Sequence, residues 1–294
     1  MRISDQMIFN LANQSNGQAM SAVEQATQTA SSGLRVVHPW DDPTAAGMLA
    51  QSQVTQARLS GIASTATQAA DQLSAADAAL SQVSSTLGTA SQLALQMANS
   101  TYSASDRAAA GGQVDQYLQQ IVAELNTQVG DQYLFGGDQT GSAPFDASGN
   151  YLGDTAVREV EIAPGVTTAA SVRADVALKG VGGGTDVLSA LQSLSAALKS
   201  NDTSGIQAAI ASLNQGISQV STARAQIGDS MNALDTAAAV NQAALTAEKT
   251  RASSMSDADI VQSATALAQA QQALQASLAA TSQSFQLSLL NYLK

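Results

Sequence analysis

Residues 59–97 read "LSGIASTATQAADQLSAADAALSQVSSTLGTASQLALQM". Within this stretch Leu59, Ile62, Ala66, Ala69, Leu73, Ala76, Leu80, Val83, Leu87, Ala90, Ala94 and Met97 recur in alternating steps of three and four without a miss. A 3.5-residue period lays one apolar seam along a helix, and a seam of that kind requires partner helices. Five of these twelve residues are alanine, the best helix former, whose small side chain lets neighbouring helices come close.

Outward from this stretch, proline marks where the helices can run. The four prolines are Pro39, Pro43, Pro144 and Pro164, which leaves residues 44–143 and everything after 164 free of the strongest helix breaker. One helix over 44–98 would span roughly 80 Å at about 1.5 Å per residue. A second heptad run follows in Ile206, Ile210, Leu213, Ile217, Val220, Arg224, Ile227, Met231, Leu234, Ala238, Asn241 and Leu245, with two polar interruptions. Of the 21 glycines, 11 lie between Gly130 and Gly184, so the two helical stretches are separated by a turn-rich insert.

Local signals refine the boundaries. Asp42 followed by Pro43 predicts a helix start, with Asp as cap and Pro at the first helical position. Ser103 and Asp106 fit a capping box for a further helix with Val114, Leu118, Ile121 and Leu125 inward, and Gly130 is expected to cap its C-terminus. Thr185 or Asp186 starts a short helix carrying Val187, Leu188, Leu191, Leu194 and Leu198, which should stop near Asn201 and Asp202. In the insert, "AVREVEIAPG" and "SVRADVALKG" both alternate in the manner of half-buried strands, Val160 and Ile162 against Glu159 and Glu161, and Val172, Ala174, Val176 and Leu178 against Arg173, Asp175 and Lys179. Four of the ten aromatic residues, Tyr133, Phe135, Phe145 and Tyr151, gather at its entrance. They form either a small core that seals the insert against the helices or a contact site for another protein.

The two ends carry weaker seams. Residues 3–34 offer Ile8, Leu11, Ala22, Ala26 and Leu34, interrupted by Ser15 and Gly17; the last forty residues offer Ile260, Ala264, Leu267, Leu274, Leu278, Phe285, Leu289 and Tyr292. Isolated helices of this kind are marginal in water. The tail "SFQLSLLNYLK", with Phe285, Leu289, Leu290, Tyr292 and Leu293, is apolar around most of its circumference and expects burial between subunits. The expected organisation is an N-terminal assembly helix over 1–40, helical rod over 41–130, a β-rich insert over 131–184, the returning rod over 185–254 and a C-terminal assembly helix over 255–294.

Composition excludes several functions. The net charge of −11 and the absence of any Lys/Arg cluster argue against nucleic acid and against an anionic membrane surface. No apolar run is long enough to span a membrane. The N-terminus has no core of signal-peptide length, so an exported chain would need a route without a cleaved signal. Without cysteine there is no disulfide, thiolate metal site or Cys nucleophile. The single histidine, His38, has no nucleophile and carboxylate arranged around it in the manner of a triad, and "VHPWDDP" reads as a turn before a helix. "GVGGGTD" lacks the Lys-Ser/Thr of a phosphate loop and the third glycine of a dinucleotide loop. No enzyme and no cofactor is expected.

Three passages carry a resemblance. "ASSGLRVVHPWDDPTAAGMLA" (30–50), with Gly33, Arg35, Asp41, Asp42 and Pro43, and the C-terminal "SSMSDADIVQSATALAQAQQALQASLAATSQSFQLSLLNYL" are similar to the two ends of bacterial flagellins and their relatives. The passage with Tyr133, Leu134, Phe135, Gly136, Gly137, Pro144 and Phe145 resembles the hook–filament junction branch of that superfamily rather than a filament flagellin. The turn at His38 and Trp40 departs from the family pattern. The resemblance implies a mainly α fold, an elongated antiparallel bundle of long helices with a small β-rich inserted domain. It further implies export through the flagellar type III channel, an export chaperone bound near the C-terminus, and an extracellular place in the flagellum. There the chain would polymerise as a homo-oligomer in a ring or tube, between an adjacent hook-associated protein and flagellin. A filament flagellin, or a coiled-coil adhesin or signalling rod, is the alternative.

Overall fold

The computed structural model describes residues 2–292, with side chains for residues 6, 7 and 9–283. Seven helices and two short hairpins make up the described residues: α1 (Arg2–Ser32), α2 (Pro43–Met97), α3 (Ala104–Leu125), β1 (Gln128–Val129), β2 (Gln132–Tyr133), β3 (Glu159–Ala163), β4 (Val166–Ala169), α4 (Ala174–Lys179), α5 (Val187–Lys199), α6 (Thr203–Ser256) and α7 (Ile260–Tyr292). The chain divides into two compact units, a terminal unit of residues 1–58 and 244–294 and a central unit of residues 59–243.

The central unit holds the long apolar core. Every member of the first heptad, from Leu59 to Met97, is buried. The second heptad is half as expected. Ile206, Leu213, Val220, Ile227, Leu234 and Asn241 are buried, but the intervening buried positions are Ala209, Gly216, Ala223 and Ala237 rather than Ile210, Ile217, Arg224 and Ala238. The helix turns its smaller edge inward. A Cβ on Gly216 would stand 2.9 Å from Cγ2 of Val187, so close approach of α5 selects the small residue. Ile210, Ile217 and Met231 pack on the flank of the core, Ala238 faces solvent, and Arg224 reaches across to α2. Its Nε lies 2.8 Å from Asp77 Oδ1 and its Nη2 3.1 Å from Oδ2, a two-pronged ion pair.

Caps set the helix starts. Ser103 accepts the Asp106 amide and the Asp106 carboxylate accepts the Ser103 amide, closing the capping box of α3. Asp186 caps α5 through the Ser189 amide. Buried Arg107 ties the end of α2 to the α5–α6 loop, donating to Met97 O, Asn99 O and Asn201 Oδ1.

Two expectations in the insert are corrected. Gly130 does not cap α3, which ends at Asn126; with φ +60° it turns the β1–β2 hairpin, in which Val129 pairs with Gln132. "SVRADVALKG" is not a strand. Residues 174–179 form α4, with Ala174, Asp175, Ala177 and Leu178 buried at helical spacing. Alternation and helical spacing overlap in so short a segment; the Arg173–Asp175 pair and the left-handed Gly180 stop favour the helix. β3 does behave as its pattern implies, burying Val160 and pairing antiparallel with β4.

Candidate assembly surface

In the terminal unit the chain knots α1, α2, α6 and α7 at two facing turns. Gly33 leaves α1 in the left-handed region, φ +69°, a conformation that glycine adopts without steric cost. The next residues pair with the turn between α6 and α7: Arg35 N donates to Ser256 O at 2.7 Å and Ala258 N to Gly33 O at 2.8 Å, framing a bridge between Leu34 and Asp257. The Arg35 guanidinium donates to Met255 O at 2.7 Å and meets Asp42 at 3.1 Å. Asp42 in turn caps α2 by accepting the Ala45 amide, and that amide, followed by Arg35, holds its carboxyl below the ordinary value. Asp41 accepts the amides of His38 and Val37, and the His38 amide does most to lower its pKa. On the opposite turn the hydroxyls of Ser253 and Ser256 hold Asp257 in its charged form. Gly33, Leu34, Arg35, Asp41, Asp42 and Pro43 thus come together in one junction.

α1 and α7 pair antiparallel along a seam that was not expected. On α1 the half-buried positions are Ala12, Asn16, Ala19, Val23, Ala26 and Thr29; on α7 they are Leu267, Ala270, Leu274, Ser277 and Thr281, preceded by buried Ser263. Apart from Val23, Leu267 and Leu274 these residues are small or polar, and Asn16 binds both Ser277 (2.6 Å) and Thr281 (3.3 Å) across the seam. A polar residue at a seam position specifies register at a cost in stability. The three-four spacing from Ala12 to Ala26 was present in the sequence, hidden by the larger residues beside it.

Those larger residues face outward. Leu11 and Met20 are each 67% exposed, Val261 is 74% and Leu278 52%, and Leu34, Ile260, Ala22 and Ala264 are exposed as well. Among the residues expected to mediate assembly, Leu267 and Leu274 therefore turn toward α1, whereas Leu11, Leu34 and Leu278 present apolar surface to solvent. The side chains of Ile8, Phe285, Leu289, Leu290 and Tyr292, and all of Leu293, lie outside the described residues.

The aromatic cluster belongs to the central unit. Leu134, Phe135 and Phe145 are buried in the continuous core, and Phe145 meets Tyr151 at 5.2 Å between ring centroids. Asn126, at the end of α3, donates to Phe145 O and accepts its amide, at 2.9 and 3.0 Å. The Tyr151 hydroxyl lies 2.7 Å from Asp154 O and 3.0 Å from Phe135 O; burial, with Asp175 and Asp154 nearby, pushes its pKa up to about 12. Gly137 has φ +70°, and a Cβ there would collide with Asp154 Oδ1 at 1.9 Å. Gly136 likewise has no room beside Gln139 O, Pro144 lies against it, and Tyr133 is half-buried in β2.

The surface offered is thus an arrangement of helices rather than a reactive centre. Among the described residues no group of three or more His, Cys, Asp or Glu side chains is placed to hold a metal, and no helix is long and apolar enough to cross a membrane.

Comparison with known proteins gives the same arrangement a family. Residues 3–140 match the bacterial flagellin N-terminal helical region and residues 210–293 the bacterial flagellin C-terminal helical region. Over 266 residues the chain is 30% identical to a protein of Escherichia coli K12, covering 80% of this chain and 81% of that one. A Salmonella typhimurium protein is 36% identical over 159 residues, 52% of this chain and 49% of its relative, so that match spans about half the relative's length. The chain belongs to the bacterial flagellin family. Both of these relatives are flagellar hook-associated protein 3. Among solved structures, a protein of Vibrio parahaemolyticus assigned to the flagellar hook-associated proteins shares the fold at a TM-score of 0.68 and 24% identity, over 74% of this chain and 100% of that one. FlgL of Bacillus cereus does so at 0.58 and 21%, over 70% and 99%.

Proposed function

We propose that this chain is a structural subunit of the hook–filament junction, exported and then polymerised through its terminal helices. The observation that carries the reading is the division of labour on α1 and α7. Their mutual seam is mostly small and polar, with Val23, Leu267 and Leu274 as its larger apolar members, while Leu11, Met20, Val261 and Leu278 are left in water. Apolar side chains at exposed seam positions gain from a further surface that covers them. Neighbouring copies supply that surface in a ring or tube, with Ile8, Phe285, Leu289, Leu290, Tyr292 and Leu293 extending it. Before assembly an export chaperone covers the C-terminal helix. The adjoining surfaces of the assembled ring are a hook-associated protein on one side and flagellin on the other. The role is mechanical, joining two structures, and uses no cofactor. The aromatic cluster, with Tyr133, Leu134, Phe135, Gly136, Gly137, Pro144 and Phe145, seats the insert on the central unit.

A strain lacking this chain is expected to secrete flagellin monomers into the medium and to build no filament. Normal filaments on such cells would rule out the junction role.

A further inference from the structure

Trp40, the single tryptophan of the chain, is held out in solvent at 74% exposure. An indole has a large apolar area to remove from water, so its display is worth an explanation. The turn that carries it is stiff. Asp41 N donates to His38 O at 3.0 Å, and Asp41 Oδ2 accepts the amides of Val37 and His38 at 3.0 and 2.8 Å. The His38 imidazole stacks on the indole with ring centroids 4.4 Å apart and planes 9° apart. A side chain fixed in this way loses little freedom when it docks.

The same unit contains a receptacle. Between α1 and α7 lies a cleft of about 440 Å³, walled by Ala22, Ala26, Ala266 and Ala270, with Gln25 and Gln262 among its lining residues and Arg35 and Asp259 toward the end where the chain turns. The volume lies within the range of about 300–1,000 Å³ that suits an inserted group. Trp40 of the same copy does not occupy it, since the indole is exposed and absent from the lining.

We infer that Trp40 of one copy inserts into the α1–α7 cleft of a second copy. The inference rests on the self-assembling reading above and names one contact within it. A flat indole fits a slot between two alanine-faced helices and would remove about 150–250 Å² of its own surface from water. The amide oxygens of Gln25 and Gln262 can accept the indole Nε1–H. Knob and cleft are different patches of one chain, so each copy gives one knob and receives one. Such a head-to-tail contact repeats from copy to copy, closing into a ring or continuing as a tube according to the rotation per step. Packing of the terminal helices alone would make no use of Trp40.

The chain has no cysteine, so Trp40→Cys with Ala266→Cys creates a unique thiol pair. The double variant is expressed in cells lacking the wild-type chain, and isolated flagella are oxidised with copper–phenanthroline. Disulfide-linked dimers and higher multiples are expected, reversed by reductant and absent from either single variant. Incorporated subunits that stay unlinked, or a link from position 40 to a different protein, overturn the inference while leaving the junction role standing. Absence of even the wild-type chain from flagella overturns the junction role itself, and this contact with it. In parallel, Trp40→Ala is expected to reduce incorporation at least about tenfold with helicity unchanged, as truncating an anchoring aromatic does. Incorporation at the wild-type level also overturns the inference. Loss of Trp40→Cys from flagella with helicity intact counts as the same loss of the knob and supports it.

Discussion

Replacing Phe135 by alanine tests whether the aromatic cluster is core or contact surface. The ring is completely buried, within a cluster that also contains Leu134 and Phe145, and its carbonyl lies within reach of the Tyr151 hydroxyl. Truncating a buried Phe to Ala costs about 3–5 kcal/mol, the transfer term plus the cavity left behind. The upper part of that range applies here, because the neighbouring chain cannot easily collapse into the gap. Asn126 pins Phe145 through two hydrogen bonds, and Gly137 is wedged against Asp154. With a urea slope of about 2–3 kcal/mol per molar, the upper part of the usual range as suits a unit of this size, a loss of about 4–5 kcal/mol should lower the midpoint for unfolding of the central unit by about 1.3–2.5 M. Urea titration of the purified full chain, followed by far-UV circular dichroism, measures the shift. Phe135→Leu, which keeps most of the volume, should cost only about 1 kcal/mol. A Phe135→Ala cost below about 1 kcal/mol together with lost incorporation into flagella would refute the core assignment and favour a contact site.

Three further outcomes follow from the same geometry. Arg224→Met should destabilise the central unit by no more than about 1 kcal/mol, since its pair with Asp77 is one-third exposed and salt-screened; equal stability curves at low and high salt for the wild type would contradict the ionic origin. Lys199, then Ser195, lowers the Asp115 pKa in the folded state, so this group contributes stability above the unfolded carboxylate value of about 3.9. The contribution is lost as pH falls below that value and through the folded pKa, so Asp115→Asn should lower stability by a constant amount across pH 6–8 and flatten the acid limb. Gly137→Ala should destabilise by more than about 1 kcal/mol, because a left-handed φ and a 1.9 Å approach to Asp154 act together; thermal unfolding of the variant checks this.

Much of the fold was legible because its strongest signals are local or strictly periodic. The heptad from Leu59 to Met97 required a buried seam, and the Ser103–Asp106 box and the Asp42–Pro43 and Asp186 starts required no distant partner. The site was less legible. Leu267 and Leu274 do turn toward α1, but Leu11, Leu34 and Leu278, which stand out as apolar, do not join the pairing, whose other positions include Asn16, Ser277 and small residues. Size, which guides the eye along a sequence, does not decide which edge of a helix turns inward.

By itself, then, the sequence determined that this is a chain of long helices with a glycine-rich insert, through the seam period and the placement of proline and glycine. Only the tertiary structure decided the rest. It turned the Ala209–Gly216–Ala223 edge of α6 inward, and at Gly216 Val187 of α5 comes too close for any larger side chain. It coiled residues 174–179 into a helix because buried Asp175 pairs with Arg173 and Gly180 ends the turn. It also brought residues 33–36 against 256–258, more than two hundred positions apart in the chain, through hydrogen bonds between backbone groups that every residue but proline carries. Backbone pairing of that kind leaves no pattern in the residues, so distance along the chain concealed it.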